Sequence, residues 1–267
     1  MIAVAQNGSD TKTRLEALTE EVSASRLNLW STCRLKFYFR YVLQVSKPPT
    51  PALHLGKVVH SILQEWNMAR WRGEELSSSA MIDLFVDRWT DQEPGIEWDD
   101  KEDDLSKKAS LMLKTYFEQT PIPADEKPSG VEVRLEADLS QHGLPTLIGI
   151  LDLVRPAGTI VDFKTSAQTP DPVRVVHQTE IQLTCYGVLY RDATGQKEAG
   201  FELHHLVKQK VPRLIVTSVP AITEQQQTRL FRMIESYVNG VDREDFVPSI
   251  GLHCASCEFF NDCRRWS

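Results

Sequence analysis

The stretch Thr146-Leu147-Ile148-Gly149-Ile150-Leu151-Asp152-Leu153-Val154, then Arg155-Pro156-Ala157-Gly158, then Thr159-Ile160-Val161-Asp162-Phe163-Lys164-Thr165 decides how the chain is read. Two β-prone runs joined by a short Pro- and Gly-containing turn predict a hairpin. Leu151, Leu153, Ile160 and Val161 are residues of buried strands, so Asp152, Asp162 and Lys164 place charge at a depth that demands partners. Asp162 and Lys164, two apart on a strand, share one face. Gathered carboxylates suit Mg²⁺ or Mn²⁺, which take oxygen ligands and keep positions open for water and phosphate. An ammonium beside them orients an attacking water and offsets charge developing on phosphorus. An isolated D-x-K is more often an ordinary strand charge pattern. The buried flanks are what raise this one above that level.

The surroundings of the hairpin also alternate. Val131, Val133, Leu135 and Ala137 point one way, and Glu132, Arg134, Glu136 and Asp138 the other, as in a half-buried strand. Glu132 is equally readable as a neighbour of the acidic hairpin or as a solvated outer residue, and is left out of the candidate set. Residues 178–190 predict a helix, residues 201–207 and 213–219 a second strand pair, and Thr223 with Gln226 a capped helix running to Asn239. Upstream, helical periodicity covers residues 25–45, 53–72, 77–89 and 105–119. The expectation is an α/β fold, a mixed central sheet flanked by helices, with a helical N-terminal half. Residues 1–22 read as a loose arm and 23–265 as one domain. That domain divides into a helical part (23–120), a core (121–240) and a tail (241–265).

The chain has 267 residues, enough for a core without disulfide staples. Its 30 Lys and Arg against 37 Asp and Glu give a net charge of −7. Asp91–Asp104 holds eight acids and one base, also −7, so the rest sums to zero. By contrast, Arg26–Lys47 carries five cations and no acid, and His204–Arg213 carries Lys208, Lys210 and Arg213 with no acid. Screening confines charge effects to about 10 Å, so these stretches can hold a polyanion despite the net acidity. No apolar run reaches membrane length and the start lacks signal-peptide character, so a soluble cytoplasmic protein without a membrane partner is expected. Three of five cysteines, Cys254, Cys257 and Cys263, crowd the C-terminus as C-x2-C-x5-C, a spacing suited to a metal or cluster.

Gly149-x-x-Asp152, Asp162-x-Lys164 and Gln182-x-x-x-Tyr186, with His60 upstream, together resemble the ordered motifs of the RecB-type branch of the PD-(D/E)XK nuclease superfamily. The resemblance implies a restriction-endonuclease-like core. It also implies a divalent metal held by His60, Asp152, Asp162 and the Phe163 carbonyl, with Lys164 positioning water and Gln182 and Tyr186 orienting the scissile strand or bracing Lys164. Cys33, Cys254, Cys257 and Cys263, with Ser23-x-Ser25-Arg26-Leu27 before the first, resemble the iron–sulfur members, AddB-like and CRISPR-associated RecB-like exonucleases, and imply a [4Fe-4S] cluster. Arg34 and Glu258 stand where those relatives often carry Pro, and four thiolates suit zinc as well. Cys185 has no counterpart and reads as a small buried residue.

In such a fold Arg26, Arg34, Lys36 and Arg40, with Tyr38 and Tyr41, would line a path for single-stranded DNA. Each ring is equally readable as core. No G-x-x-x-x-G-K-[ST] motif occurs, so the expected protein works alone or beside a separate helicase, CRISPR or repair proteins. The expected activity is a Mg²⁺- or Mn²⁺-dependent DNA exonuclease preferring single strands. The alternative is a DNA-end-binding scaffold that retains the fold without turnover.

Overall fold

The computed structural model describes residues 8–74, 77–90, 96, 98 and 102–266. In chain order the elements are α1 (Gly8–Glu20), β1 (Glu21–Ser23), α2 (Ala24–Thr32), α3 (Arg34–Phe37), a π-helical turn (Tyr38–Val42), α4 (Pro51–Arg72), α5 (Ser78–Thr90) and α6 (Glu102–Gln119). Then follow β2 (Gly130–Ala137), β3 (Thr146–Val154), β4 (Thr159–Ser166), α7 (Pro172–Thr194), β5 (Gly200–Val207), β6 (Arg213–Val219), α8 (Glu224–Asp242) and α9 (Phe260–Cys263).

Local chemistry sets the long helices. Thr50 caps α4 by accepting from the Leu53 N–H, Pro51 occupies the first turn, and Gly73 at φ +78° ends it in the left-handed region. Asp171 and Pro172 start α7 in the same way, six residues ahead of the periodicity that predicted it, and Gly195 stops it. Thr223 and Gln226 form the reciprocal capping box that opens α8.

The sheet runs β1-β3-β4-β5-β6, with β2 on the other edge of β3. The β2/β3, β3/β4 and β5/β6 pairs are antiparallel, whereas β1/β3 and β4/β5 are parallel. Apolar residues on one side (Leu151, Ile160, Leu203) pack with α1, α2, α7 and α8, and those on the other (Leu153, Val161, Phe163) with α4, α5 and α6. The mixed sheet between helices, and the helical N-terminal half, match the expected α/β class.

Two sequence expectations need correction. Residues 8–23 are not a loose arm: Leu18 is buried, Tyr237 Oη donates to the Leu18 carbonyl at 2.9 Å, and Val22 pairs with Leu147. Three widely spaced apolar residues, Leu15, Leu18 and Val22, suffice because α8 supplies the other half of the interface. The helix expected over 25–45 breaks at Cys33, which adopts an extended conformation between α2 and α3. Of the acidic stretch, Asp91, Glu93, Glu97, Asp99, Asp100 and Lys101 lie outside the described residues, while Glu102, Asp103 and Asp104 sit in the first turn of α6, where carboxylates complement the helix dipole.

Candidate active site

A gap in the sheet creates the site. On one edge β3 is paired by β2 throughout. On the other, β1 takes Thr146–Ile148 and β4 takes only Leu153 and Val154, which leaves residues 149–152 without a strand. There the Asp152 side chain replaces the ladder: Oδ2 accepts the Phe163 N–H at 2.9 Å. A cleft of about 880 Å³ opens over the gap, lined by Ser23 of β1, Ser25 and Asn28 of α2, Gly56, Lys57 and His60 of α4, and Glu132, Gly149, Asp152, Thr165, Gln182 and Tyr186. Gly149 lets α7 pack closely here, because a Cβ would stand 2.7 Å from Cδ1 of the buried Leu189, whose side chain would have to shift.

His60, Glu132 and Asp152 each present a ligand atom within 4.8 Å of the others'. His60 Nδ1 lies 3.7 Å from Asp152 Oδ2. Glu132 falls opposite Asp152 in the β2/β3 register, between the pairs Val131–Leu153 and Val133–Leu151. Its φ of +48° is left-handed, a costly conformation for a residue with a Cβ, of the kind that concentrates at functional sites. Burial, then the Asp152 charge, pushes the Glu132 carboxyl up to about 7. Burial, then Asp162, pushes Asp152 well above the ordinary carboxylate range. Two acids held together at this cost, with an imidazole nitrogen beside them, form a donor set that fits a divalent cation.

The Asp162 side chain meets Lys164 and Gln182. Its side chain is 2% exposed, its Oδ2 is met by Lys164 Nζ alone at 2.7 Å, and its Oδ1 accepts from Gln182 Nε2 at 2.9 Å. It stands outside the three-donor group and holds the lysine, while its charge still reaches Asp152. Phe163 contributes its N–H to Asp152. Gln182 joins both halves: Oε1 accepts from Lys164 Nζ at 2.9 Å, and Nε2 donates to Tyr186 Oη at 2.8 Å as well as to Asp162. These partners fix the amide orientation, since an ammonium only donates and a carboxylate only accepts. Burial, then the Asp162 and Asp152 charges, raises the Tyr186 phenol far above its ordinary value, so the hydroxyl keeps its proton for donation into the cleft.

Glu132 is the residue the sequence reading left out. Its alternation is indistinguishable from that of Arg134 and Glu136, and only the register with β3 singles it out.

The cationic residues expected to line a DNA path have protein partners in this structure. Arg34 pairs with Asp245 and lies 5.0 Å over the Trp30 ring. Lys36 (2.8 Å) and Arg40 both pair with Glu258, and Lys47 reaches Asp262 at 2.6 Å. Arg26 donates to the Glu21 carbonyl and stacks over Tyr41. Tyr38 and Tyr41 pack on Phe246 and Phe37 as core edges. This segment therefore clasps the C-terminal tail. At the clasp, Cys33, Cys254, Cys257 and Cys263 line one small cavity walled by Phe39 and Phe259. Burial, then the three other thiols, pushes the Cys263 thiol up. Cys185 is fully buried in the main core, away from this cavity.

No curated protein matches the chain. Among solved structures, it is similar to a candidate exonuclease from Eubacterium rectale at 16% identity and a TM-score of 0.61, over 98% of this chain and 94% of that one. A second, SSO0001, shares 13% identity over 96% and 94% of the two chains with a TM-score of 0.45. Among the described residues no helix is long and apolar enough to cross a membrane. The family model of the PD-(D/E)XK nuclease superfamily matches residues 21–264, and the chain belongs to that superfamily.

Proposed function

We propose that the protein is a Mg²⁺- or Mn²⁺-dependent deoxyribonuclease that hydrolyses phosphodiester bonds from DNA ends, with preference for a single strand. The observation that carries this reading is the convergence of His60, Glu132 and Asp152 at the sheet gap, backed by Asp162, Lys164 and Gln182. These are donors for a cation next to a fixed ammonium. A divalent ion held by His60, Glu132 and Asp152 would polarise the phosphoryl oxygen and acidify a bound water. Lys164, held by Asp162 and Gln182, keeps a positive charge where charge develops on phosphorus. Tyr186 donates its hydroxyl hydrogen to a phosphate oxygen and so orients the strand. The cleft, at about 880 Å³, is of a size that takes small ligands, which favours a nucleotide or two of one strand over an intact duplex. The similar fold of the candidate exonuclease supports action from an end.

For the four cysteines we propose a [4Fe-4S] cluster that ties α2 and α3 to the tail. The shared cavity and the mutual influence of the thiols support it. Anaerobically purified protein should be brown and contain iron and acid-labile sulfide in equal amounts; colourless protein containing zinc would replace this assignment.

The decisive assay is digestion of end-labelled DNAs, each blocked at one terminus, with Mg²⁺ or Mn²⁺ and with EDTA. Metal-dependent loss of nucleotides from one free end is expected, and Asp152→Ala or Lys164→Ala should abolish it while the fold is retained. Cleavage undiminished in either variant would refute the assignment. Strand binding with no hydrolysis under any metal would favour a scaffold role.

A further inference from the structure

Arg34, Lys36, Arg40 and Lys47 pair with the tail, and a second acid-free stretch lies elsewhere in the fold. Lys208, Lys210 and Arg213 surround the turn between β5 and β6, and among the described residues none of the three meets a carboxylate. Lys210 and Arg213 are exposed and Lys208 is half-buried. Val211 at the tip is 71% exposed, whereas the buried Pro212 anchors the turn.

The turn has a fixed place relative to the site. β5 runs parallel to β4, with Lys164 opposite His205 and Ser166 opposite Val207. Beyond the ladder, the Lys208 N–H donates to the Ser166 carbonyl at 2.7 Å, and Gln209 Nε2 donates to Thr169 Oγ1 at 3.3 Å. Thr165, between Lys164 and Ser166, lines the cleft. Three residues along a strand and one strand across put the Lys208 Cα about 11 Å from that of Lys164. The turn thus follows directly on the strand end whose Thr165 lines the cleft. Three cations that meet no carboxylate among the described residues give a chain of phosphates counter-charges outside the reacting position. The exposed valine beside them adds an apolar contact of the kind a base face accepts.

Resting on the nuclease reading above, we propose that the β5–β6 turn is the phosphate track of the protein, where Lys208, Lys210 and Arg213 hold the nucleic-acid backbone adjacent to the bond being cut. These are positioning residues, and they carry the role that the sequence suggested for the N-terminal helix.

The test is strand binding by the full-length protein in EDTA, with a labelled single-stranded oligonucleotide titrated at several salt concentrations. Neutralising all three (Lys208→Gln, Lys210→Gln, Arg213→Gln) should weaken binding by about tenfold or more and lower the slope of log affinity against log salt by about 2, at about 0.7 per lost phosphate contact on a single strand. Lys107→Gln with Lys114→Gln, exposed cations on α6, serves as the charge control and should leave both quantities in place. Unchanged affinity and slope in the triple variant, or an equal loss in the control, would overturn the proposal. Hydrolysis of bis(4-nitrophenyl) phosphate by the unsubstituted protein is read in parallel. Its absence strikes the nuclease reading, whereas its presence alongside unshifted strand affinity strikes the phosphate track alone.

Discussion

Lys164→Met isolates the electrostatics of the site from its chemistry. In the folded protein Asp162 is almost fully enclosed and its Oδ2 has one counter-charge, Lys164 Nζ at 2.7 Å. At an effective dielectric constant of about 20, that separation corresponds to about 6 kcal/mol of attraction before desolvation is deducted. Removing one partner of a buried pair costs about 3–5 kcal/mol, because the remaining charge stays buried without compensation. The low end applies here: the Lys164 side chain is 32% exposed and Gln182 still donates to Asp162 Oδ1. A loss of about 3 kcal/mol should lower the melting temperature by about 6 °C in a domain of this size. The measurement is thermal unfolding in EDTA, so that no bound cation replaces the ammonium. Adding Asp162→Asn to Lys164→Met should recover most of the loss, since a neutral amide no longer needs the counter-charge. A single variant melting within about one degree of the parent, or a double variant no better than the single, would refute this account of the pair.

Glu132→Gln should weaken Mn²⁺ binding at least about tenfold by calorimetry without lowering the melting temperature, because it replaces an anionic ligand with a neutral amide oxygen and removes a costly half-buried carboxylate together; unchanged Mn²⁺ affinity would remove Glu132 from the site. Gly149→Ala should destabilise the protein by about 1–3 kcal/mol and reduce turnover at the same time, since the new Cβ presses on the fully buried Leu189 and shifts the helix bearing Gln182 and Tyr186; wild-type melting and turnover would contradict it. Glu202 accepts from His204 and pairs with Arg155, and the hydrogen bond from His204, then the Arg155 charge, holds its carboxyl below the ordinary value of 4.5. The stability it contributes is therefore present above pH 4.5 and lost as pH falls through its depressed native value, so Glu202→Gln should flatten the acid limb of the stability curve, as measured by urea unfolding at stepped pH.

The periodicities, the hairpin and the ordered acidic motifs are local properties, and they were legible because strand alternation, helix caps and turn residues act over a few positions. From them came the mixed sheet, the placement of Asp152 beside Asp162, and the helix that aims Gln182 and Tyr186 at Lys164. The division of labour among the acids was not legible. That Asp162 meets Lys164 and Gln182 while Asp152 meets His60 depends on the sheet gap, which exists because β1 and β4 share one edge of β3. Glu132 enters the site through a register set by the loop between β2 and β3, and through a backbone conformation that no residue type announces.

Charge was the property least readable in one dimension. The run from Arg26 to Lys47 contains no acid, yet its partners Asp245, Glu258 and Asp262 arrive from more than 200 residues away. A stretch of sequence states how much charge a segment carries. Only the folded chain decides which charges are spent on one another and which remain for a ligand, because electrostatic attraction falls off with distance in space and is indifferent to distance along the chain.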